Sequence, residues 1–182
     1  MRTFLAVDVD PNLTYKIVGI QKQLAEANAN VKLVEQENLH FTFKFLGDIT
    51  PEKTETIIEI TEENIKDYSP FTITINGMGA FPNMDYIRVI WLGVEHPGAF
   101  SKVQRELDEA FASLGFKKER SYIPHLTIGR VKGAQNKDEL AAIVQKLENI
   151  EVGTMNIDRL TLKKSELTPV GPIYTDIHEI FL

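Results

Sequence analysis

Residues 38–48 read NLHFTFKFLGD, and residues 122–130 read YIPHLTIGR. Each sets His-x-Thr in a short apolar run. In a strand, residues i and i+2 point the same way, about 6.5–7 Å apart. His40 and Thr42 therefore share one face, and Phe41, Phe43 and Phe45 take the other and pack inward. His125 and Thr127 likewise share a face, opposite Leu126 and Ile128. The apolar faces belong against a helix-covered core, so the His/Thr faces must look at something polar.

Outward from these two strands the pattern repeats. Asp10-Pro11 reads as N-cap and first helical residue, with Leu13, Ile17, Ile20 and Leu24 following on one face. Thr50-Pro51 repeats the signal before Ile57, Ile60 and Ile65. Phe100, Val103, Leu107, Phe111 and Leu114 form a third stripe, stopped by Gly115. Asn136 and Glu139 predict a capping box for a fourth helix carrying Leu140, Ile143, Val144 and Leu147. Strand-like runs cover 2–9, 31–35, 40–46, 71–77, 85–94, 124–130, 154–166 and 172–181. NGMGAFP at 76–82 reads as a loop lining the cleft, without the spacing of a dinucleotide fingerprint.

Each half thus reads strand, helix, short strand, histidine strand, helix, strand. Pro11 precedes His40 by 29 positions and Pro97 precedes His125 by 28; Thr50 follows His40 by 10 and Asn136 follows His125 by 11. The matched spacing predicts an α+β fold made by pseudo-twofold duplication: one two-lobed domain over 1–182, divided near residues 1–80 and 81–182. Two antiparallel-rich sheets would face a central cleft, with helices on the outer faces. A pseudo-twofold axis would bring both His/Thr faces together across that cleft.

Imidazole has its ordinary pKa near neutral pH, so a facing pair can divide into one base and one acid. In-line displacement at phosphorus needs that division: one group takes a proton from the nucleophile, the other gives one to the leaving oxygen. Threonine supplies a compact hydroxyl donor to a phosphate oxygen. Two histidines without a third ligand at H-E-x-x-H spacing are a poor zinc set, so neither metal nor cofactor is expected. One His-x-Thr alone would read as an ordinary polar strand position; two at matched places read as a site.

Composition bounds the alternatives. The 182 residues are 43% hydrophobic and 25% charged, with net charge −6 and no cysteine. Disulfide and thiolate chemistry are closed, and an extended electrostatic grip on long nucleic acid is disfavoured, though a small basic cleft is not. No apolar run approaches the roughly 20 residues of a membrane span. A cytoplasmic monomer, with no membrane partner, is the expectation.

The paired motifs, His40–Phe43 and His125–Ile128, resemble those of the two-histidine phosphoesterase superfamily. The MRTFLAVDV opening, LHFTFKFLGD, WLGVE at 91–95, ERSYIPHLTIGR at 119–130 and LKKSELTPVGPIYTDI at 162–177 are similar to the RNA 2',3'-cyclic phosphodiesterases, historically called 2'-5' RNA ligases. The resemblance implies a bilobal fold and metal-independent opening of a 2',3'-cyclic phosphate to a 2'-phosphate at RNA 3' ends. Small 2',3'-cyclic nucleotides and tRNA halves are further candidate substrates. It also implies His40 as proton donor to the 3' oxygen and His125 as proton acceptor from water. The residues alone leave that order open. Ligation of RNA halves, a non-catalytic RNA-end binding module and an inert scaffold are the competing readings.

Around this pair, Thr42, Thr127 and Arg130 are assigned to phosphate. Arg130 stands five residues after His125, so strict alternation puts it on the opposite face unless the strand end bends. Arg120, Tyr122, Lys44 and Phe45 are candidate RNA contacts. Lys44 shares the parity of His40 and would reach the cleft rim, with an exposed strand lysine as the plainer reading. Core packing is the plainer reading for Phe45, and Phe81 and Tyr122 are further candidates for stacking on a base. Lys117 and Lys118 read as a solvated face, and His96 and His178 as ordinary surface histidines.

Overall fold

The computed structural model describes residues 1–182. Nine strands and four helices follow in the order β1 (Arg2–Asp8), α1 (Pro11–Ala25), β2 (Val31–Leu33), β3 (His40–Asp48), α2 (Pro51–Ile65), β4 (Phe71–Asn83), β5 (Tyr86–Glu95), α3 (Gly98–Ala112), β6 (His125–Val131), α4 (Lys137–Lys146), β7 (Glu151–Ile157), β8 (Arg159–Thr168) and β9 (Gly171–Phe181). No helix is long and apolar enough to cross a membrane.

Local chemistry starts two helices as the sequence predicts. Asp10 accepts from the Asn12 amide at 2.9 Å, and Thr50 from the Lys53 amide at 3.3 Å, each just before a proline. The capping box at α4 does not form. Asn136 sits at φ 51°, and its side-chain amide donates instead to the Ala27 and Asn28 carbonyls in the turn just after α1. Docking the start of α4 onto the turn after α1 satisfies carbonyls that a local cap would leave to water.

The strands join in the order β7-β4-β5-β6-β3-β1-β8-β9, with β2 added beside β6, and every pair is antiparallel. The α+β class holds. The two expected sheets are two halves of one ladder, joined at its middle by the single pair Phe41↔Leu126. Helices α2 and α3 cover the β3-β1-β8-β9 half, and α1 and α4 cover the other. Phe41, Phe43 and Phe100 are fully buried or nearly so, with Phe43 and Phe100 stacked at 4.2 Å.

These halves are not the two halves of the chain. β1, between β3 and β8, ties the N-terminal strands to the C-terminal hairpin β8–β9, while β4 pairs with β5 and β7 in the half that holds β6. The boundary expected near residue 80 falls inside β4. NGMGAFP is likewise strand rather than loop: it continues β4 past a register shift between Ile75 and Met78, with Gly77 at φ 83°. Gly79 leaves room for Trp91, whose ring would lie 2.3 Å from an added Cβ. Conversely, the run 154–166 is two strands. It breaks at Asp158, where β7 ends at one edge of the sheet and β8 begins beside β1. No glycine or proline punctuates that crossing, so periodicity alone reads it as continuous.

Candidate active site

The junction of the two half-sheets holds both motifs. With Phe41 opposite Leu126 in antiparallel register, Thr127 stands across from His40 and His125 across from Thr42. Phe41 and Leu126 are completely buried, so the alternate residues of both strands look the other way. His40, Thr42, His125, Thr127 and Arg130 line a single cleft of about 1330 Å³. The imidazoles 85 positions apart in sequence therefore open on the same space.

Both rings are oriented by the same local device. His40 Nδ1 lies 2.7 Å from the Asn38 carbonyl, and His125 Nδ1 lies 3.4 Å from the Ile123 carbonyl. A carbonyl can only accept, so Nδ1 carries the proton in each and Nε2 is left for chemistry. In His40, Nε2 sits 3.0 Å from Thr42 Oγ1. Burial pushes both histidines below the ordinary imidazole value. The backbone carbonyls oppose that shift and the Arg130 charge adds to it. His40 also feels Asp8, which raises it, and Lys163, which lowers it.

Beyond each His-x-Thr a β-bulge changes the parity. On β3, Thr42 pairs with Ala6 and Lys44 with Leu5, leaving Phe43 as an extra residue. On β6, Thr127 pairs with Trp91 and Gly129 with Ile90, leaving Ile128 extra. A bulge turns everything after it to the opposite face. Both residues of Phe43–Lys44 and of Ile128–Gly129 are buried, and Phe45 and Arg130, five places after their histidines, face out.

This inverts several expectations. Arg130 reaches the cleft side through the bulge, not through a frayed strand end. Phe45 is 66% exposed and lines the cleft, whereas core packing was expected. Lys44 is 4% exposed and turns under the sheet: its ammonium donates to Asp108 at 2.6 Å, to Glu119 at 3.2 Å and to the Lys117 carbonyl. All three of its protons are used, so the expectation of an RNA contact at Lys44 is corrected. Tyr122 also turns inward, donating to Asp108 at 2.7 Å, which removes it as a stacking platform. Arg120 is exposed on an adjoining recess of about 510 Å³ that also reaches His125.

Other residues at the site escaped the sequence reading. Phe4 and Tyr174 enclose the His40 ring at 4.9 and 5.3 Å, Tyr174 edge-on. Asp8, opposite His40 on β1, accepts from Lys163 at 2.9 Å, and Lys163 also donates to Asp176 at 2.5 Å. Burial pushes Lys163 down, but these two carboxylates hold it above the ordinary lysine value. Their only sequence signal is that they lie in MRTFLAVDV and LKKSELTPVGPIYTDI, segments carrying no chemical pattern of their own. Phe81, considered for stacking, meets His125 edge-on at 5.1 Å. No three His, Cys, Asp or Glu side chains converge in a metal-ligating cluster.

The family model described as the 2'-5' RNA ligase superfamily matches residues 16–168. The chain is 52% identical over 181 residues to an RNA 2',3'-cyclic phosphodiesterase of Methanothermobacter thermautotrophicus, covering 100% of this chain and 98% of the relative. It is 42% identical over 179 residues to one from Methanocaldococcus jannaschii, covering 98% and 99%. Among solved structures, TT0787 of Thermus thermophilus matches with a TM-score of 0.85 at 24% identity, covering 100% of this chain and 98% of that one. Escherichia coli LigT complexed with 3'-AMP matches with a TM-score of 0.78 at 23% identity, covering 100% and 97%. Two carbonyl-oriented histidines on one cleft, in this fold and with these relatives, have one family reading: the chain belongs to the 2'-5' RNA ligase superfamily.

Proposed function

We propose that the protein is an RNA 2',3'-cyclic phosphodiesterase in which His125 takes a proton from water and His40 gives one to the departing 3' oxygen. The observation that carries this reading is the pair of Nε2 atoms, each freed for proton transfer by a carbonyl on Nδ1, bordering one cleft with Arg130. Water oxygen bonds to phosphorus as the P–O3' bond breaks. His40 enters as the imidazolium, with one proton on Nδ1 toward the Asn38 carbonyl and a second on Nε2. The water proton goes to His125 Nε2, and the His40 Nε2 proton goes to O3', leaving a 3' hydroxyl and a 2'-phosphate. Thr42, Thr127 and the Arg130 guanidinium donate to the phosphate oxygens, where negative charge grows.

The order of roles has physical support. His125 is exposed and His40 is enclosed by Phe4 and Tyr174. The ring open to solvent suits the group that must meet water; the enclosed ring suits the group that protonates a leaving atom without competition from it. Phe45 and Arg120, at the cleft and its adjoining recess, are available to the RNA leading up to the cyclic end. The close relatives' activity and the room in the cleft support oligoribonucleotides, tRNA halves among them, as substrates. Both histidines and Arg130 come from one chain, so a monomer suffices.

Incubating the protein in EDTA with an oligoribonucleotide ending in a 2',3'-cyclic phosphate tests the reading. A 2'-phosphate product, lost in His40→Ala and in His125→Ala while both variants stay folded, is expected. Tight binding with no turnover would instead make the protein an RNA-end binding module. Adding RNA with a 5' hydroxyl tests joining, which needs the same acid and base in reverse.

A further inference from the structure

The two orienting carbonyls are held by different means. Asn38 is buried, and its own side chain donates to the Pro172 carbonyl at 3.0 Å. Ile123 has no such side-chain anchor: it is 73% exposed, and its amide makes only a 3.4 Å bond to Ser121 Oγ. What fixes the chain there lies on the other side of the sheet. The Asp108 side chain, fully buried on α3, accepts from Lys44 at 2.6 Å, Tyr122 Oη at 2.7 Å and the Glu119 amide at 2.9 Å. Ser101 Oγ, also on α3, donates to the Tyr122 carbonyl at 2.7 Å. The segment 117–122 is therefore tied to α3 and β3 at Lys117, Glu119 and Tyr122, immediately before Ile123.

Burial pushes Asp108 up, but Lys44, Tyr122 and the Glu119 amide together hold it below the ordinary carboxylate value. Asp108 in turn holds the Tyr122 hydroxyl protonated, its pKa pushed up to about 12. A fully satisfied buried network of this kind contributes less net stability than its contacts suggest, while its geometry admits one arrangement.

We propose that Lys44, Asp108, Tyr122 and Ser101 are positioning residues that set the His125 ring through the Ile123 carbonyl, and that His40 is independent of them. The inference rests on His125 being one of the two proton-transferring groups. Tyr122→Phe removes one hydroxyl from the tether, and Ser101→Ala removes another from the same peptide. Each is expected to lower kcat for a 2',3'-cyclic phosphate end about tenfold with KM within about twofold, since small misplacements of a reacting group cost rate.

The distinguishing readout is imidazole 15N chemical shift. At a pH high enough for both rings to be neutral, each is expected as the Nδ1–H tautomer in the wild type. In each variant His125 becomes a tautomer mixture while His40 is unchanged. Tyr68→Phe serves as control: it breaks a 2.5 Å bond to Glu106 on the same helix but has no path to Ile123, so kcat and both rings stay as in the wild type. Wild-type kcat and unchanged His125 shifts in both tether variants would overturn the proposal. So would equal disturbance of both rings, which marks general loosening. If the wild type turns over no cyclic phosphate, the assignment of function fails, and the 15N shifts still decide whether the tether orients His125.

Discussion

The strands β3 and β6 carry one local code in two surroundings. Both place histidine two residues after an orienting carbonyl, threonine two residues later, and a bulge at the fourth position. They differ in what the rest of the chain brings to them. His40 lies between two aromatic rings, with Thr42 on its Nε2 and Asp8 across the sheet. His125 is open, touched by the edge of Phe81 and tethered through a loop. After the bulge, β3 delivers an aromatic ring and β6 a guanidinium. The scaffold thus places two histidines in equivalent local settings, and the unequal surroundings are what the proposed division into acid and base rests on.

The strongest challenge to that division is removal of either imidazole. His40→Ala and His125→Ala should each lower the rate of 2'-phosphate formation by about 10²- to 10⁴-fold. The double variant should fall little further, because one acid without its base already loses the concerted path. A single variant retaining more than a tenth of the wild-type rate would mean that only one side is catalytic.

The residues after the bulges sharpen the contrast. Arg130→Met should lower kcat/KM about 10²-fold, as expected for loss of a charged donor to the phosphate. It should also raise the pKa of both histidines in an NMR titration, because the guanidinium charge helps hold both down. Phe45→Ala should leave both titrations alone and raise KM about tenfold, for oligonucleotides more than for a mononucleotide cyclic phosphate. Equal effects of the two would erase the functional difference between the half-sheets.

Threonine comes next. Thr42→Val and Thr127→Val should each cost about 1 kcal/mol of transition-state binding, read as a several-fold loss in kcat/KM. Thr42→Val should additionally shift His40, whose Nε2 loses its 3.0 Å partner, while Thr127→Val leaves His125 in place.

The smallest effect is on folding. Both histidines bind protons less readily in the folded chain than in the unfolded one. Their contribution to stability is therefore complete above about pH 6.5, the ordinary imidazole value, and is lost as pH falls through the two depressed values. Denaturant midpoints from pH 7.5 down to 5 should decline in the wild type and decline less in His40→Phe. An identical pH dependence would remove His40 burial as the cause.

The α+β class, four helices and both histidines were legible because their signals are local. Asp10-Pro11, Thr50-Pro51 and the apolar stripes need only neighbouring residues, and His-x-Thr shares a face in any regular strand. Legibility stopped four residues past each histidine. Parity counted straight through β3 put Lys44 on the cleft and Phe45 in the core; the bulge at Phe43 exchanged them. β6 did contain a hint, since Gly129 inside a strand is a bulge signal. An added Cβ there would meet Val31 of β2 at 3.1 Å. β3 carries no glycine at the matching place.

By itself, then, the sequence determined which residues could transfer protons and which faces they start on, because rotation along a strand is a property of the chain alone. Tertiary structure decided the remainder. Whether a strand admits an extra residue is set by its pairing partners β1 and β5. Whether a lysine is cation to a phosphate or to a buried carboxylate is set by Asp108, 64 positions away. Where the half-sheets divide is set by β8–β9 returning to β1. Each of these is a contact between distant segments, and its energy depends on a geometry that no local window contains.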